Sequence, residues 1–245
     1  MVNPAGQLGS SVDALVKEYE TIAHNLANIN TTGYKRRVNA FTRELMDKMA
    51  DPKEVEQGEI NVKGALDFTM GNLLKTGRPL DLAIGSKGFF VIETPDGPLY
   101  TRNGIFHLDN TTGQLIDING RMVAGTDGPV IVPSGIGESQ IGIAEDGHIM
   151  AGDTDIGNLR IVEFGEDEGK LVSVGYNCYM APDGVEPTDA ANALVRQGFQ
   201  ENSNVNLAQE LIAMMKVSSL YDTNMKLLSR RREISKTIIG VANAT

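Results

Sequence analysis

Tryptophan is absent from this chain of 245 residues, and cysteine occurs only once, at Cys178. A single cysteine cannot form a disulfide within the chain, so a disulfide-stabilised fold is excluded. The run 176–180 around it has the composition of a strand, which predicts a small buried thiol and not a reactive one. No apolar run approaches the roughly 18 residues that a membrane-spanning helix needs. We therefore expect no direct insertion into a membrane.

Histidine is also scarce, with His24, His107 and His148 far apart in the sequence and never at metal-ligand spacing. The sequence has no nucleophile elbow, no Ser-x-x-Lys pair, no P-loop and no dinucleotide fingerprint. Asp146, Asp153 and Asp155 do not match the spacing of a calcium loop, and we interpret them as turn residues. These absences predict no catalytic residues, no metal site and no cofactor, and hence a protein that is not an enzyme.

Positive charge is in the minority, with 22 Lys and Arg residues against 32 Asp and Glu and a net charge of −10. An acidic protein repels phosphate backbones, so we predict no nucleic-acid partner. The run 230–232 consists of three arginines, which spread around a helix at ~100° each. We predict that they face solvent or pair with acidic neighbours in an assembly.

The N-terminus has neither the basic segment nor the apolar segment of a secretory signal. The expectation is a protein that either stays in the cytoplasm or is exported without cleavage of a signal peptide.

A helix is predicted from about Ser10 to Asn30, followed by Gly33 in a left-handed conformation. Its apolar residues recur with alternating gaps of three and four, which is the period of a helix–helix seam. The residues of this seam are Val12, Leu15, Tyr19, Ile22, Leu26 and Ile29.

A second helix is predicted from about Asn204, with Asn206 and Gln209 placed as in a capping box. Its apolar residues have the same alternation of gaps, with Ser218 as the one small polar member. The apolar members of this second seam are Leu207, Leu211, Met214, Tyr221, Met225 and Leu228. Beyond them the phase slips, because Ile234 continues the pattern from Leu227.

The middle of the chain is rich in turns and strand-like runs. Most of the 27 glycines lie there, and six Asn-Gly or Asp-Gly pairs supply residues suited to tight turns. These pairs are Asp96-Gly97, Asn103-Gly104, Asn119-Gly120, Asp127-Gly128, Asp146-Gly147 and Asp183-Gly184. The runs 89–92, 100–101, 105–108, 130–132 and 159–164 read as short strands. This pattern predicts an antiparallel β domain.

The predicted fold class is therefore α+β, with an antiparallel all-β central domain flanked by terminal helices that pair as a coiled coil. The expected organisation is a helical part at 1–45, a linker at 46–75, the β domain at 76–198 and a helical part at 199–245. Pairing the two helices leaves apolar flanks at Val16, Ile212, Met215 and Leu227 uncovered, and neighbouring subunits could cover them. The alternative is that both helices pack on the β domain.

Four blocks resemble one known family, the rod and hook proteins of the bacterial flagellar basal body. The N-terminal block is Asn25-Leu26-Ala27-Asn28-Ile29-Asn30-Thr31-Thr32-Gly33-Tyr34-Lys35-Arg36. The central blocks are 76–84 with Gly88-Phe89-Phe90-Val91, and Tyr100-Thr101-Arg102-Asn103-Gly104. The last is Gln197-Gly198-Phe199 with Glu201-Asn202-Ser203-Asn204-Val205-Asn206. They occur in the family's order across nearly the whole chain.

This resemblance implies a structural axial subunit that polymerises helically into the torque-transmitting shaft. The implied partners are other copies of itself, other rod and hook subunits, and the flagellar type III export apparatus. The implied location is the periplasm-spanning rod, reached without a cleaved signal peptide. The terminal helices are implied to form the assembly interface, with Asn25 and Asn28 making hydrogen bonds between neighbouring helices. The family has no catalytic residues to carry over.

Within the family, the length suits a rod protein and is too short for the hook protein. Segments 128–133 and 141–147 look most like proximal-rod members, and distal-rod members are the near alternative. Ser86 and the run 219–222 depart from the family's usual residues. A different reading that the residues leave open is a non-flagellar binding module whose helices serve as a stalk.

Overall fold

In a computed structural model the chain is described over residues 4–39 and 64–242. The described residues belong to two compact units. The helical unit comprises the described parts of Met1–Ala27, Arg37–Ala65 and Asn206–Thr245, and the β unit comprises Asn28–Arg36 and Leu66–Val205. Most of the linker predicted at 46–75, up to residue 63, lies outside the described residues.

Two helices form most of the described part of the helical unit. Helix α1 spans Pro4–Ala27 and helix α2 spans Leu207–Ala242, and the two pack against each other. The start of α2 confirms the predicted cap, because the side-chain oxygen of Asn206 accepts a hydrogen bond from the backbone N–H of Gln209 at 3.2 Å.

The predicted limits of the first helix were wrong at both ends, since α1 starts earlier and stops at Ala27. A turn at Asn28 ends it, where the carbonyl accepts the N–H of Thr31 at 3.1 Å and the side chain accepts the Thr31 hydroxyl at 3.2 Å. Ile29 therefore lies beyond the helix. Gly33 has the expected left-handed backbone, with φ +69°, but in a later turn and not at the helix end.

The β unit is built from short strands, and every strand pairing with a resolved register is antiparallel, as predicted. From the start of the chain to the middle of the β unit, the strands are β1 (Arg36–Asn39), β2 (Gly64–Asp67), β3 (Leu73–Lys75), β4 (Leu82–Ile84), β5 (Phe89–Glu93), β6 (Leu99–Thr101), β7 (Phe106–Leu108), β8 (Leu115–Asp117), β9 (Met122–Gly125) and β10 (Gly128–Pro129). The remaining strands are β11 (Ile141–Ile143), β12 (His148–Ala151), β13 (Thr154–Asn158), β14 (Ile161–Glu163), β15 (Val172–Gly175), β16 (Cys178–Met180), β17 (Thr188–Asp189), β18 (Val195–Gln197) and β19 (Phe199–Glu201).

The largest sheet has ten strands, with the main order β15-β16-β6-β5-β9-β8-β7. Smaller sheets join β11-β12-β13, β18-β4, β19-β3 and β1-β2. The late strands β18 and β19 pair with the early strands β4 and β3, so the C-terminal end of the β unit closes on its beginning.

Strand β5 is buried on both faces, which explains its continuous apolar run. Phe90 and Ile92 point into the larger apolar core, and Phe89 and Val91 point into a second one. Successive residues of a strand face opposite sides, so the two cores lie on opposite faces of the sheet.

Two strand and turn predictions needed correction. The run 130–132 does not form a strand; the strand there is Gly128–Pro129, and Ile131 makes only an isolated bridge to Gln114. Proline has no N–H for a ladder, and Pro129 and Pro133 bracket this run. Gly104 does not have a positive φ; a Cβ there would lie 1.8 Å from the carbonyl oxygen of Leu82, so close backbone approach requires the glycine.

One hairpin turn was missed. Tyr176 and Asn177 join β15 to β16 with φ +50° and +56°, the only non-glycine positive values in the described residues. The strand predicted at 176–180 therefore begins only at Cys178. Tyrosine rarely adopts this conformation, so the turn signal at that point rests on Asn177 and the preceding Gly175.

Candidate assembly surface

The face of α2 that packs on α1 is formed around Glu210 and Val217, both buried, and the matching buried residues of α1 include Ala14 and Ile22. The predicted seam of α1 contributes to this contact in part. Val12, Leu15 and Leu26 are half-buried, whereas Tyr19 is 45% exposed.

Asn25, a predicted interface residue, is buried and makes its hydrogen bonds inside the helical unit. Its side-chain amide donates to the carbonyl of Arg37 at 2.8 Å, and its oxygen accepts the backbone N–H of Arg37 at 2.8 Å. The same amide also donates to Glu210 of α2 at 3.4 Å. This contact explains why a glutamate, and not an apolar residue, lies at the helix–helix contact. Asn28 belongs to the turn of the β unit described above.

The predicted seam of α2 is mostly open to solvent. Met214 and Leu228 are half-buried, but four other members are exposed: Leu207, Leu211, Tyr221 and Met225. The sequence pattern selected the most apolar side of α2, while the contact with α1 lies around the buried Glu210. A prediction from apolar spacing alone could not find that contact.

Exposed apolar residues occupy two stripes of α2, as judged from a rotation of ~100° per residue. The first stripe consists of Leu207, Leu211, Met215 and Met225, and the second consists of Leu220, Leu227 and Ile234. Ile212, which is also exposed, lies between the two stripes. Exposed fractions range from 41% to 67% across both stripes. Contiguous exposed apolar residues of this kind mark an interaction surface.

A groove of about 310 Å³ runs between α1 and α2. Leu15, Val16 and Tyr19 line it from α1, and Val217, Ser218, Tyr221 and Asp222 line it from α2. The lining is mainly apolar, with two tyrosines and one carboxylate, so the groove suits an apolar side chain better than a charged ligand.

The β unit contains a buried ion pair that joins three of the family blocks. The Nζ atom of Lys35 lies 2.6 Å from Oε1 of Glu201, and Nη1 of Arg102 lies 3.4 Å from Oε2 of the same residue. All three side chains are buried to 98% or more. We call these three residues the buried charge cluster.

Further hydrogen bonds complete this cluster. Lys35 donates to the carbonyl of Thr69 at 2.7 Å, and Glu201 accepts the backbone N–H of Gly71 at 2.9 Å. The Arg102 guanidinium lies over the ring of Phe89, 5.4 Å from its centroid. Burial lowers the pKa of Lys35 against the opposing effect of Glu201, and burial also lowers the pKa of Arg102.

The turn that carries Lys35 is held by backbone contacts as well. The N–H of Gly33 donates to the carbonyl of Glu201 at 2.7 Å, and a Cβ at Gly33 would lie 2.4 Å from the nitrogen of Asn103. The family signature in this turn therefore closes the β unit. These roles could not be predicted from one sequence, because nothing in it pairs residues 35, 102 and 201.

Nothing in the described part of the chain resembles a catalytic or metal centre. Cys178 is buried, its sulfur lies 3.0 Å from Nη2 of Arg121, and burial raises its pKa. Among the described residues no group of three His, Cys, Asp or Glu side chains could hold a metal ion. Within the same residues no helix has the length and apolar character to cross a membrane.

Three protein families match successive parts of the chain. The Flagella basal body rod protein family matches residues 13–35, which covers most of α1 and the signature turn. The Flagellar hook protein FlgE/F/G D1 domain matches residues 83–151. The Flagellar basal body rod FlgEFG protein C-terminal family matches residues 196–241, including most of α2.

Individual relatives match over nearly the full length. The chain is 34% identical over 225 residues to the flagellar basal-body rod protein FlgF of Rhizobium meliloti, covering 91% of this chain and 90% of the relative. It is 31% identical over 250 residues to FlgG of Buchnera aphidicola subsp. Acyrthosiphon pisum, with coverage of 90% and 92%. It is 30% identical over 249 residues to FlgG of Bacillus subtilis, with coverage of 91% and 92%.

The paired terminal helices, the antiparallel β unit and the exposed helical stripes are features of a structural class of protein. The chain belongs to the flagellar basal-body rod protein family. It is a structural rod subunit of the flagellum and not an enzyme, as the sequence predicted.

Proposed function

We propose that this rod subunit polymerises helically through α1 and α2, which pair in coiled-coil fashion, and so forms part of the torque-transmitting shaft. The observation that carries this proposal is the pair of exposed apolar stripes on α2. Leaving seven large apolar side chains in water is unfavourable, and neighbouring helices would bury them. The partners are other copies of this chain and other rod and hook subunits.

The proposal is tested by placing a charge in the first stripe. Leu211→Asp should prevent assembly, because a carboxylate buried at a helix contact without a partner costs several kcal/mol. Leu211 is 46% exposed, so the fold of the subunit should survive. Assembly is measured by sedimentation velocity over a concentration series and by electron microscopy of the products.

The matched control is Ser219→Asp, which adds the same charge at an exposed position of α2 between the two stripes. It should assemble like the unmodified chain. Equal assembly of Leu211→Asp and the unmodified chain would refute a role for the stripe.

We also propose a proximal position in the rod. The resemblance of segments 128–133 and 141–147 to proximal-rod members and the 34% identity to FlgF of Rhizobium meliloti support it. The FlgG relatives support a distal position as the second candidate, since they match over an equal share of the chain. Expressing the chain in strains that lack either FlgF or FlgG distinguishes the two, and a proximal subunit should restore motility only in the first.

Export through the flagellar type III apparatus, without signal cleavage, is the final part of the proposal, and family membership supports it. The intact chain should accumulate outside cells that have a functional export apparatus. Its retention in cells lacking only that apparatus, measured by immunoblot, would agree with this route. Equal secretion by both strains would contradict it.

A further inference from the structure

The groove between α1 and α2 is edged by acidic side chains. Asp222 lines the groove directly, and Val16 of its wall is flanked along α1 by Asp13 and Glu20, three and four residues away. All three carboxylates are exposed. Lys17 is also exposed and lies four residues after Asp13 and three before Glu20, so it is a basic neighbour of both. Three carboxylates and one lysine leave this edge acidic on balance. We call this feature the acid-edged groove.

The second stripe of α2 has the opposite charge at its edges. Leu220, Leu227 and Ile234 follow one another at intervals of seven residues and are 53%, 47% and 60% exposed. Their helical neighbours at three and four residues include Lys216, Arg230 and Arg231, which are all exposed. We call this feature the basic-edged stripe.

The two features lie on opposite sides of α2. Leu220 is two residues from both Ser218 and Asp222, which corresponds to ~200° of rotation. One copy therefore cannot use its own stripe to fill its own groove. The stripe residues are exposed, and none of the described residues fills the groove.

We infer that the acid-edged groove of one copy receives the basic-edged stripe of a second copy of this chain. The inference rests on the proposed function and specifies its contact. Apolar residues of the stripe would fill an apolar groove, and the basic edges would meet the acidic ones. Because the two surfaces differ and lie on opposite sides of α2, the contact is head-to-tail, and a rotation that does not close generates a helical filament.

Charge reversal tests the pairing on the full-length chain. One variant carries Asp13→Lys, Glu20→Lys and Asp222→Lys, and the other carries Lys216→Glu, Arg230→Glu and Arg231→Glu. In each variant alone, the groove and the stripe carry the same sign of charge, so the two surfaces repel each other at every contact. The concentration needed for assembly should therefore rise by about tenfold or more.

An equimolar mixture of the two variants should assemble again, because each reversed surface then meets its complement. Sedimentation velocity at low salt measures all three samples, and circular dichroism checks that each variant keeps its helix content. If the mixture assembles no better than the separate variants, the inference is wrong. Assembly of either variant at the unmodified concentration would overturn it as well.

Disulfide cross-linking tests the geometry independently. In a Cys178→Ser background, Val16→Cys marks the groove and Leu227→Cys marks the stripe. Under oxidation the two proteins should cross-link only when mixed, and a chain carrying both cysteines should give a ladder of oligomers. Dimers from Val16→Cys alone would indicate a face-to-face contact and overturn the inference.

The failure of this inference can be told apart from failure of the proposed function. Suppose that the Cys178→Ser chain forms filaments, but the mixed charge-reversal variants do not assemble and the mixed cysteine variants do not cross-link. The rod function then stands and the assigned contact is wrong. If the chain forms no filaments and Leu211→Asp has no effect in cells, both are wrong.

Discussion

At the scale of single residues, the buried charge cluster is the feature on which the β unit most depends. Its three members come from separate family blocks, yet they share one desolvated site. A buried ion pair often adds little compared with apolar residues of the same shape, but removal of one partner leaves a buried charge uncompensated. The cluster is therefore highly sensitive to single substitutions.

Lys35→Met should lower the free energy of unfolding by about 3–5 kcal/mol, because Glu201 then stays buried without its closest partner. Lys75→Met removes the same charge from an exposed site and should change stability little. Chemical denaturation followed by far-ultraviolet circular dichroism measures both. A loss for Lys35→Met no larger than that for Lys75→Met would contradict the proposed role of the cluster.

His24 gives the helical unit a dependence on pH. Burial, with the nearby charge of Arg37 as the second cause, lowers the pKa of His24 in the folded chain. In the window below about pH 6.5 the unfolded chain binds a proton that the folded chain does not, so stability falls as the pH falls. His24→Gln should reduce this loss of stability between pH 7 and pH 5, as measured by thermal unfolding. An unchanged pH dependence of the variant's stability would exclude His24 as its cause.

At the scale of elements, strands and turns with a clear local sequence pattern could be predicted from the sequence, whereas contacts between distant segments could not. The apolar run of β5 and five of the six glycine turns follow from local chemistry, because strand propensity and positive φ are properties of a few adjacent residues. The contact face of α2 depends instead on Asn25, which meets Glu210 across 185 residues. Apolar spacing alone cannot reveal a polar contact of that kind.

The hairpin of β15 and β16 is strained at its tip. Tyr176 has φ +50° and is 73% exposed, so its side chain contributes little burial to offset the left-handed backbone. Tyr176→Asn should raise the free energy of unfolding by about 1 kcal/mol, since asparagine tolerates this conformation better. Tyr176→Phe keeps the strain and should leave stability unchanged. Thermal and denaturant unfolding compare the variants, and a loss of stability in Tyr176→Asn would show that the tyrosine makes a useful contact.

At the scale of the whole molecule, the compact units do not follow the simple order of the chain. The β unit includes Asn28–Arg36, although the turn-rich composition predicted these residues to belong with the N-terminal helix. That segment supplies Lys35 to the buried charge cluster, which lies inside the β unit. A fragment boundary chosen from turn-rich composition alone would leave it out.

A fragment of residues 28–205 should therefore be more stable than one of residues 66–205. The shorter fragment keeps Glu201 and Arg102 but loses Lys35, so we expect a loss of several kcal/mol and exposure of apolar surface. Denaturant unfolding and binding of a hydrophobic dye measure the two properties. Equal stability of the fragments would show that the signature turn is dispensable for the β unit.

The burial of Lys35 against Glu201 has a consequence for folding during synthesis. The two residues are 166 positions apart in the chain, and Glu201 lies in the last strand of the β unit. A ribosome makes the chain from its N-terminus, so Lys35 has no carboxylate partner until residue 201 has been made. The buried charge cluster therefore forms only after all strands of the β unit have been synthesised.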